Sequence, residues 1–308
     1  MIAVVMFGWG LLVIPGLARR HLSRLHPGLW SRLTAWALGV GSGLIALGLL
    51  ATSVPTLLEG IGAHHLAALC RRLLHDLLAG GHVGGWIAGG LLAVLSYRCV
   101  SGWRRLRRAR RAAVVEPWVG DHRTEDDYEL VVVPASVPIA LAVGGPARQV
   151  ILSSGLIAGL SEHELTMVVR HELAHIRRRH HRHLMVAAIA EATFGWLPLV
   201  SSSTRTMRLG VERWADEEAA GTDPRARRTL GSALVAAAGC RPQPGVAGLG
   251  DVEMAVERLR ALETFPPAGL SRWWYPVVGV VTTAAASLGV TSMAVVGVSL
   301  GSGGICYF

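Results

Sequence analysis

The stretch Ser161–His175, SEHELTMVVRHELAH, decides how the rest of the chain is read. Ser161-x-x-Glu164 is a capping box, and Leu165, Val168 and Val169 follow at helical spacing, so a helix is expected to start near Glu162. His171 and His175 stand four residues apart on that helix, where both imidazoles can reach one metal ion. Imidazole suits zinc, and neutral histidine is abundant near neutral pH. Glu172 stands beside the first histidine. It is placed to take a proton from water that zinc has made acidic, with a pKa of about 7.

A catalytic zinc takes three protein ligands and keeps a fourth place open. Glu212-Arg213-Trp214-Ala215-Asp216 offers the best third ligand. Leu209–Ala220 reads as a helix, which puts Glu212 and Asp216 on one face. Glu212 would bind the metal, and Asp216 would hold a ligand imidazole through its distal N–H. The plain alternative is a solvated acidic face, which Glu217 and Glu218 fit better; Glu191 competes as a ligand. His180, His181 and His183 fall off the His171/His175 face and read as a basic, membrane-facing helix end. Arg208, one turn before Glu212, is a candidate oxyanion stabiliser.

Upstream, Glu129–Pro134, Ile139–Val143 and Gln149–Ser153 are short β-rich runs with turn residues between them. The polar, acidic Val115–Asp127 reads as a linker.

The rest of the chain is too apolar for an ordinary soluble domain. It is 51% hydrophobic and 17% charged over 308 residues, against about 25% charged residues in soluble domains. Disorder and collagen-like structure are excluded. A spanning helix needs about 20 apolar residues. Met1–Leu17, Ala35–Leu58, Leu77–Tyr97 and Trp273–Leu300 meet or approach that need. The reading is a four-helix membrane protein: residues 1–114 with three spans, a mainly-α (α+β) insert at 115–272, and a fourth span and tail at 273–308. Leu184–Val200 is apolar too. As a fifth span it would put Glu212 across the membrane from His171, so it reads as an interfacial or core-packed segment.

The net charge is +9, and all 30 basic residues are arginine. They gather at residues 18–34 and, after the third span, at Arg98 and Arg104–Arg111. The positive-inside rule then puts those regions in the cytoplasm and the N-terminus, residues 59–76 and the tail outside. The Arg104–Arg111 run would grip anionic lipid rather than nucleic acid. Cys70, Cys99, Cys240 and Cys306 have no short spacing, which excludes a disulfide framework or a cysteine zinc site.

HELAHIRRRHH from His171, FGWLPLV at Phe194–Val200 and VERWADE at Val211–Glu217 together resemble the BlaR/MecR-type membrane metallopeptidases, a gluzincin-like group. VPIALAVGG and VILSSGLIAGLSEHEL also look like the wider class of HtpX-type and CaaX-processing proteases. The resemblance implies His171, His175 and Glu212 as ligands of Zn2+, Glu172 as general base, and Asp216 behind the ligands. It also implies that the strand near Ala140–Gly144 aligns substrate as an added β-strand. The substrate would be a protein or peptide, either a cytoplasmic transcriptional repressor or the chain's own cytoplasmic loop. The β-lactam sensors of that group carry a penicillin-binding domain after the last helix, where this sequence has Gly301–Phe308. A signal is therefore expected through the membrane helices, the 59–76 loop or another subunit.

The expected activity is a membrane-bound zinc endopeptidase in regulated signalling. An HtpX-type quality-control protease is the alternative among enzymes. A non-catalytic receptor with a structural zinc site is the alternative of another class, and it has no use for Glu172.

Overall fold

The computed structural model describes residues 2–22, 24–74, 81–115, 121–124, 128–144, 148–239 and 249–264. It is mostly helical, with one small sheet. The proposed fourth span, Trp273–Leu300, lies outside the described residues.

Among the described residues, two helices are long and apolar enough to cross a membrane. The first is α3, Pro27–Gly60; α1 (Ile2–Leu17) and the short α2 (Arg19–Leu22) precede it. Proline at its first position and the His26 side chain, which accepts a hydrogen bond from the Gly28 N–H at 3.2 Å, start α3 cleanly. Its 34 residues extend roughly 50 Å, well past a hydrocarbon layer of about 30 Å. The second is α5, Gly81–Val115, which follows α4 (His64–Leu74). The apolar face of α5 is open: Trp86, Ile87, Leu91, Val94 and Tyr97 are all exposed. An exposed apolar stripe this long fits lipid better than water. With 16 residues, α1 is shorter than a full span.

Four strands form one sheet in the order β1-β2-β4-β3: β1 Asp121–Thr124, β2 Glu129–Val133, β3 Ala140–Val143 and β4 Gln149–Ser153. β2 and β4 run parallel; the other pairs are antiparallel. Three strands match the expected runs. β1 corrects the linker reading of Val115–Asp127. Its four residues, DHRT, are exposed throughout, so no alternation marks them; backbone pairing with β2 alone makes them a strand.

After α6 (Ser154–Gly159) comes α7, Glu162–Arg177. Its capping box forms as expected: Glu164 accepts from the Ser161 N–H at 2.9 Å, and the Ser161 hydroxyl accepts from the Glu164 N–H. Alternation in β4 sends Val150 and Leu152 against Leu173 and Ile176 of α7, and Ile151 to the opposite face with Val131.

Residues 184–200 span α8 (His180–Phe194), the turn 195–197 and the start of α9 (Pro198–Ala220), and pack into the core along one side, with Trp196 and Leu199 exposed. Ala187, Ala190, Phe194, Val200 and Met207 bury against Leu12 of α1 and Leu38 and Ile45 of α3. Glu191 does not compete for metal. Its carboxylate accepts from the hydroxyls of Ser201 and Thr204. α9 also reaches α3 at its other end, where Gly210 lies so close to the Trp30 indole that a Cβ would clash. Two further helices, α10 (Pro224–Gly239) and α11 (Leu249–Glu263), complete the described chain.

Candidate metal centre

Helical spacing brings the two α7 histidines together, with 3.2 Å between His171 Nε2 and His175 Nε2. α9 passes over them and delivers Glu212. Its Oε2 lies 3.4 Å from His171 Nε2, and its Oε1 lies 3.8 Å from His175 Nε2. Ligand atoms of all three residues fall within 4.8 Å of one another, so one metal ion can be held between them. Asp216, one turn further along α9, puts Oδ1 3.0 Å from His171 Nδ1. That contact fixes the ring and leaves Nε2 for a metal. The structure thus brings these four residues, singled out from the sequence, together.

Glu172 lines the same cavity, of about 380 Å³, with His171, His175 and Glu212. One wall is β3, an edge strand. Ile139 and Ser153 form a hydrogen-bonded pair, so the pairing alternates and the N–H and C=O groups of Ala140 and Ala142 face away from β4. An apolar wall adjoins β3: Leu156, Val168, Leu230, Leu234 and Ala237. Arg208 is exposed and does not line the cavity, so it is not placed to stabilise an oxyanion there.

Two neighbours were not legible in the sequence. His180 is fully buried, with Nδ1 3.1 Å from His175 Nδ1 and its ring against Trp214 at 4.7 Å between centroids. This corrects its reading as a membrane-facing helix end. Arg179 takes a left-handed conformation, φ 54°, which breaks the helix between α7 and α8. A projection of α7 continued past that break puts His180 on the wrong side. The other neighbour is Arg258 of α11. It donates from Nε and Nη2 to Asp216 at 2.8 and 2.7 Å, and its Nη1 lies 3.0 Å from Glu212 Oε2. A lone arginine in VERLRAL gives no sign of that partner.

Electrostatics follow from burial and these pairs. Burial alone would lower His171, but its bonds to Asp216 and Glu212 outweigh it and lift the imidazole to about 9 in the metal-free site. Burial lowers His175 to about 4 and His180 to about 3, so both are neutral near pH 7. Against their own burial, Asp216 is drawn down to about 2 and Glu212 is held well below the carboxylate range, chiefly by the Arg258 charge. Burial pushes Glu172 the other way, upward, and the Ala142 backbone N–H only partly opposes it. Two carboxylates are thus held ionised beside one that burial drives toward neutrality.

Two histidines one helical turn apart, an acid from a second helix and a separate buried glutamate form the constellation of a helical metallopeptidase. The chain belongs to the BlaR1 peptidase M56 family, whose model matches residues 84–259, from α5 to one residue past Arg258. Comparison with curated proteins and with solved structures finds no match. Family membership supports a protease, and with the two long apolar helices it supports a membrane protein.

Proposed function

We propose that this protein is a membrane-bound zinc endopeptidase whose active site faces the cytoplasm and acts in regulated proteolysis. One observation carries the reading: His171, His175 and Glu212 converge within 4.8 Å in a cavity that Glu172 also lines. Two imidazole nitrogens and a carboxylate oxygen are a donor set that zinc takes with one place left open. Bound there, zinc supplies Lewis acidity, which makes water nucleophilic at neutral pH.

The chain's own residues do the rest. His171 and His175 offer Nε2, and Asp216 keeps the His171 ring from turning. Glu172 is the general base. It takes a proton from the attacking water and passes it to the leaving amine nitrogen, a task suited to a carboxyl raised by burial. The outward N–H and C=O of Ala140 and the C=O of Ala142, whose N–H bonds Glu172, hold the substrate backbone in extended form. The apolar wall takes an apolar side chain next to the cut bond. The substrate is a protein segment, either a cytoplasmic repressor or a loop of this chain. The arginines of residues 18–34 and 98–111 set the orientation by the positive-inside rule.

The deciding experiment compares the 308-residue chain with Glu172→Ala and Glu212→Ala for bound zinc and peptide cleavage. Glu172→Ala is expected to keep zinc and lose cleavage about 10²–10⁴-fold. Glu212→Ala is expected to lose both. Cleavage by Glu172→Ala would overturn the mechanism, and normal zinc content in Glu212→Ala would overturn the ligand set.

A further inference from the structure

Asp216 is buried and Glu212 half-buried, four residues apart on α9, and both carboxylates meet the His171 ring. Arg258 joins them. Its fork closes on both oxygens of Asp216 while Nη1 meets Glu212 Oε2. That contact also turns Glu212 so that Oε1 faces His175.

Arg258 is held in turn by how α11 is fixed. The preceding residue, Glu257, points away from the site and pairs with Arg19 on α2, immediately after α1; Glu253 meets the same Nη2 at 3.4 Å. At the far end of α11, Arg227 donates to the carbonyls of Ala261, Leu262 and Thr264 at 2.7–3.0 Å. Its remaining donors reach Glu217, the neighbour of Asp216, at 2.6 Å. Consecutive residues of α11 thus tie the end of the first apolar helix to the metal ligands.

We propose that Arg258 is a positioning residue for the metal ligand Glu212, and that the Arg19 tether on α11 sets where it stands. A shift of α1 and α2 would reach the metal site through Glu257 and Arg258 without passing through α7. The proposal rests on the metal-site reading above, and its readouts need no substrate.

The test uses the 308-residue chain in detergent. Zinc affinity is measured by chelator competition, and amide exchange of residues 209–218 is measured without metal. Arg258→Lys keeps the charge and loses the fork; it is expected to weaken zinc binding about 10–100-fold, the range for groups that orient metal ligands. Arg258→Ala should weaken it further. Because that variant can also misfold, the remote Arg19→Ala carries equal weight. It should weaken zinc binding roughly two- to fivefold, the size that a partly exposed ion pair supports. Both Arg258→Lys and Arg19→Ala should speed exchange at residues 209–218. The swapped pair Arg19→Glu with Glu257→Arg should restore both readouts. Zinc affinity and exchange unchanged in Arg258→Lys would overturn the positioning role. The same result in Arg19→Ala would overturn the tether. Failure of the wild type to bind zinc would sink the peptidase reading, and the metal-free exchange would still decide this one.

Discussion

The imidazoles of His175 and His180 meet nitrogen to nitrogen, Nδ1 to Nδ1, at 3.1 Å. With His175 Nε2 turned to the metal position, its Nδ1 carries the proton and His180 accepts it. The remaining N–H of His180, at Nε2, is buried with no hydrogen-bond partner among the described residues. That arrangement is costly unless the accepting nitrogen is needed. His180→Ala is therefore expected to weaken zinc binding about 10–100-fold. Chelator competition checks this, and an unchanged affinity would mean that His175 is oriented by something else.

Close packing of α3 on α9 gives a second prediction. Gly210 faces the Trp30 indole with no room for a side chain, and Gly28 faces Trp214 in the same way. Gly210→Val should destabilise the chain by about 1–3 kcal/mol through overpacking. Thermal unfolding in detergent measures it, and Trp30→Ala should recover part of the loss in the double variant.

Shape selection at the apolar wall gives a third. Leu234 and Ala237 both line the cavity. Ala237→Phe should lower kcat/KM for peptides with a large apolar residue beside the cut bond about 10–200-fold more than for peptides with alanine there. Leu234→Ala should shift preference the other way. Equal effects on both peptides would place the side-chain pocket elsewhere.

Acid should weaken the start of α7. Glu164 is held below the ordinary carboxylate value by the Ser232 hydroxyl and then by the Ser161 backbone N–H. A carboxylate with a lowered folded pKa adds stability above its unfolded value, and that stability is lost as pH falls through the folded one. The stability difference between wild type and Glu164→Gln should thus be present at pH 6 and shrink as pH falls below about 4.5. Ser161→Ala should cost about 1 kcal/mol at neutral pH, as cap removal does. Melting curves from pH 6 to pH 3 check both.

Local features explain what could be read without coordinates. The capping box, the i, i+4 pair His171/His175 and the i, i+4 pair Glu212/Asp216 each lie within one helix, so spacing alone fixes their geometry. What stayed hidden depends on breaks or on distance. His180 lies past the left-handed Arg179, where helical arithmetic stops. Arg258 stands 87 residues after His171, and only the packing of α11 on α9 joins them. β1 has no buried face to leave a pattern. The helix of Glu212 begins at Pro198, well before the expected Leu209, because the buried face of its first turns includes Ser203, Thr204 and Thr206 and leaves no apolar period to read.

The cluster that joins Leu12, Leu38 and Ile45 to Ala187, Phe194, Val200 and Met207 has a practical consequence. The helix that presents Glu212 is wedged, along its first half, into the same apolar mass as α1 and α3. A fragment cut at residue 115 would expose that surface to water and leave Trp214 without Gly28 and Arg32. The metal-ligand half of this chain should therefore resist excision: expressed alone, residues 115–272 should aggregate, and co-expression with residues 1–114 should restore solubility in detergent.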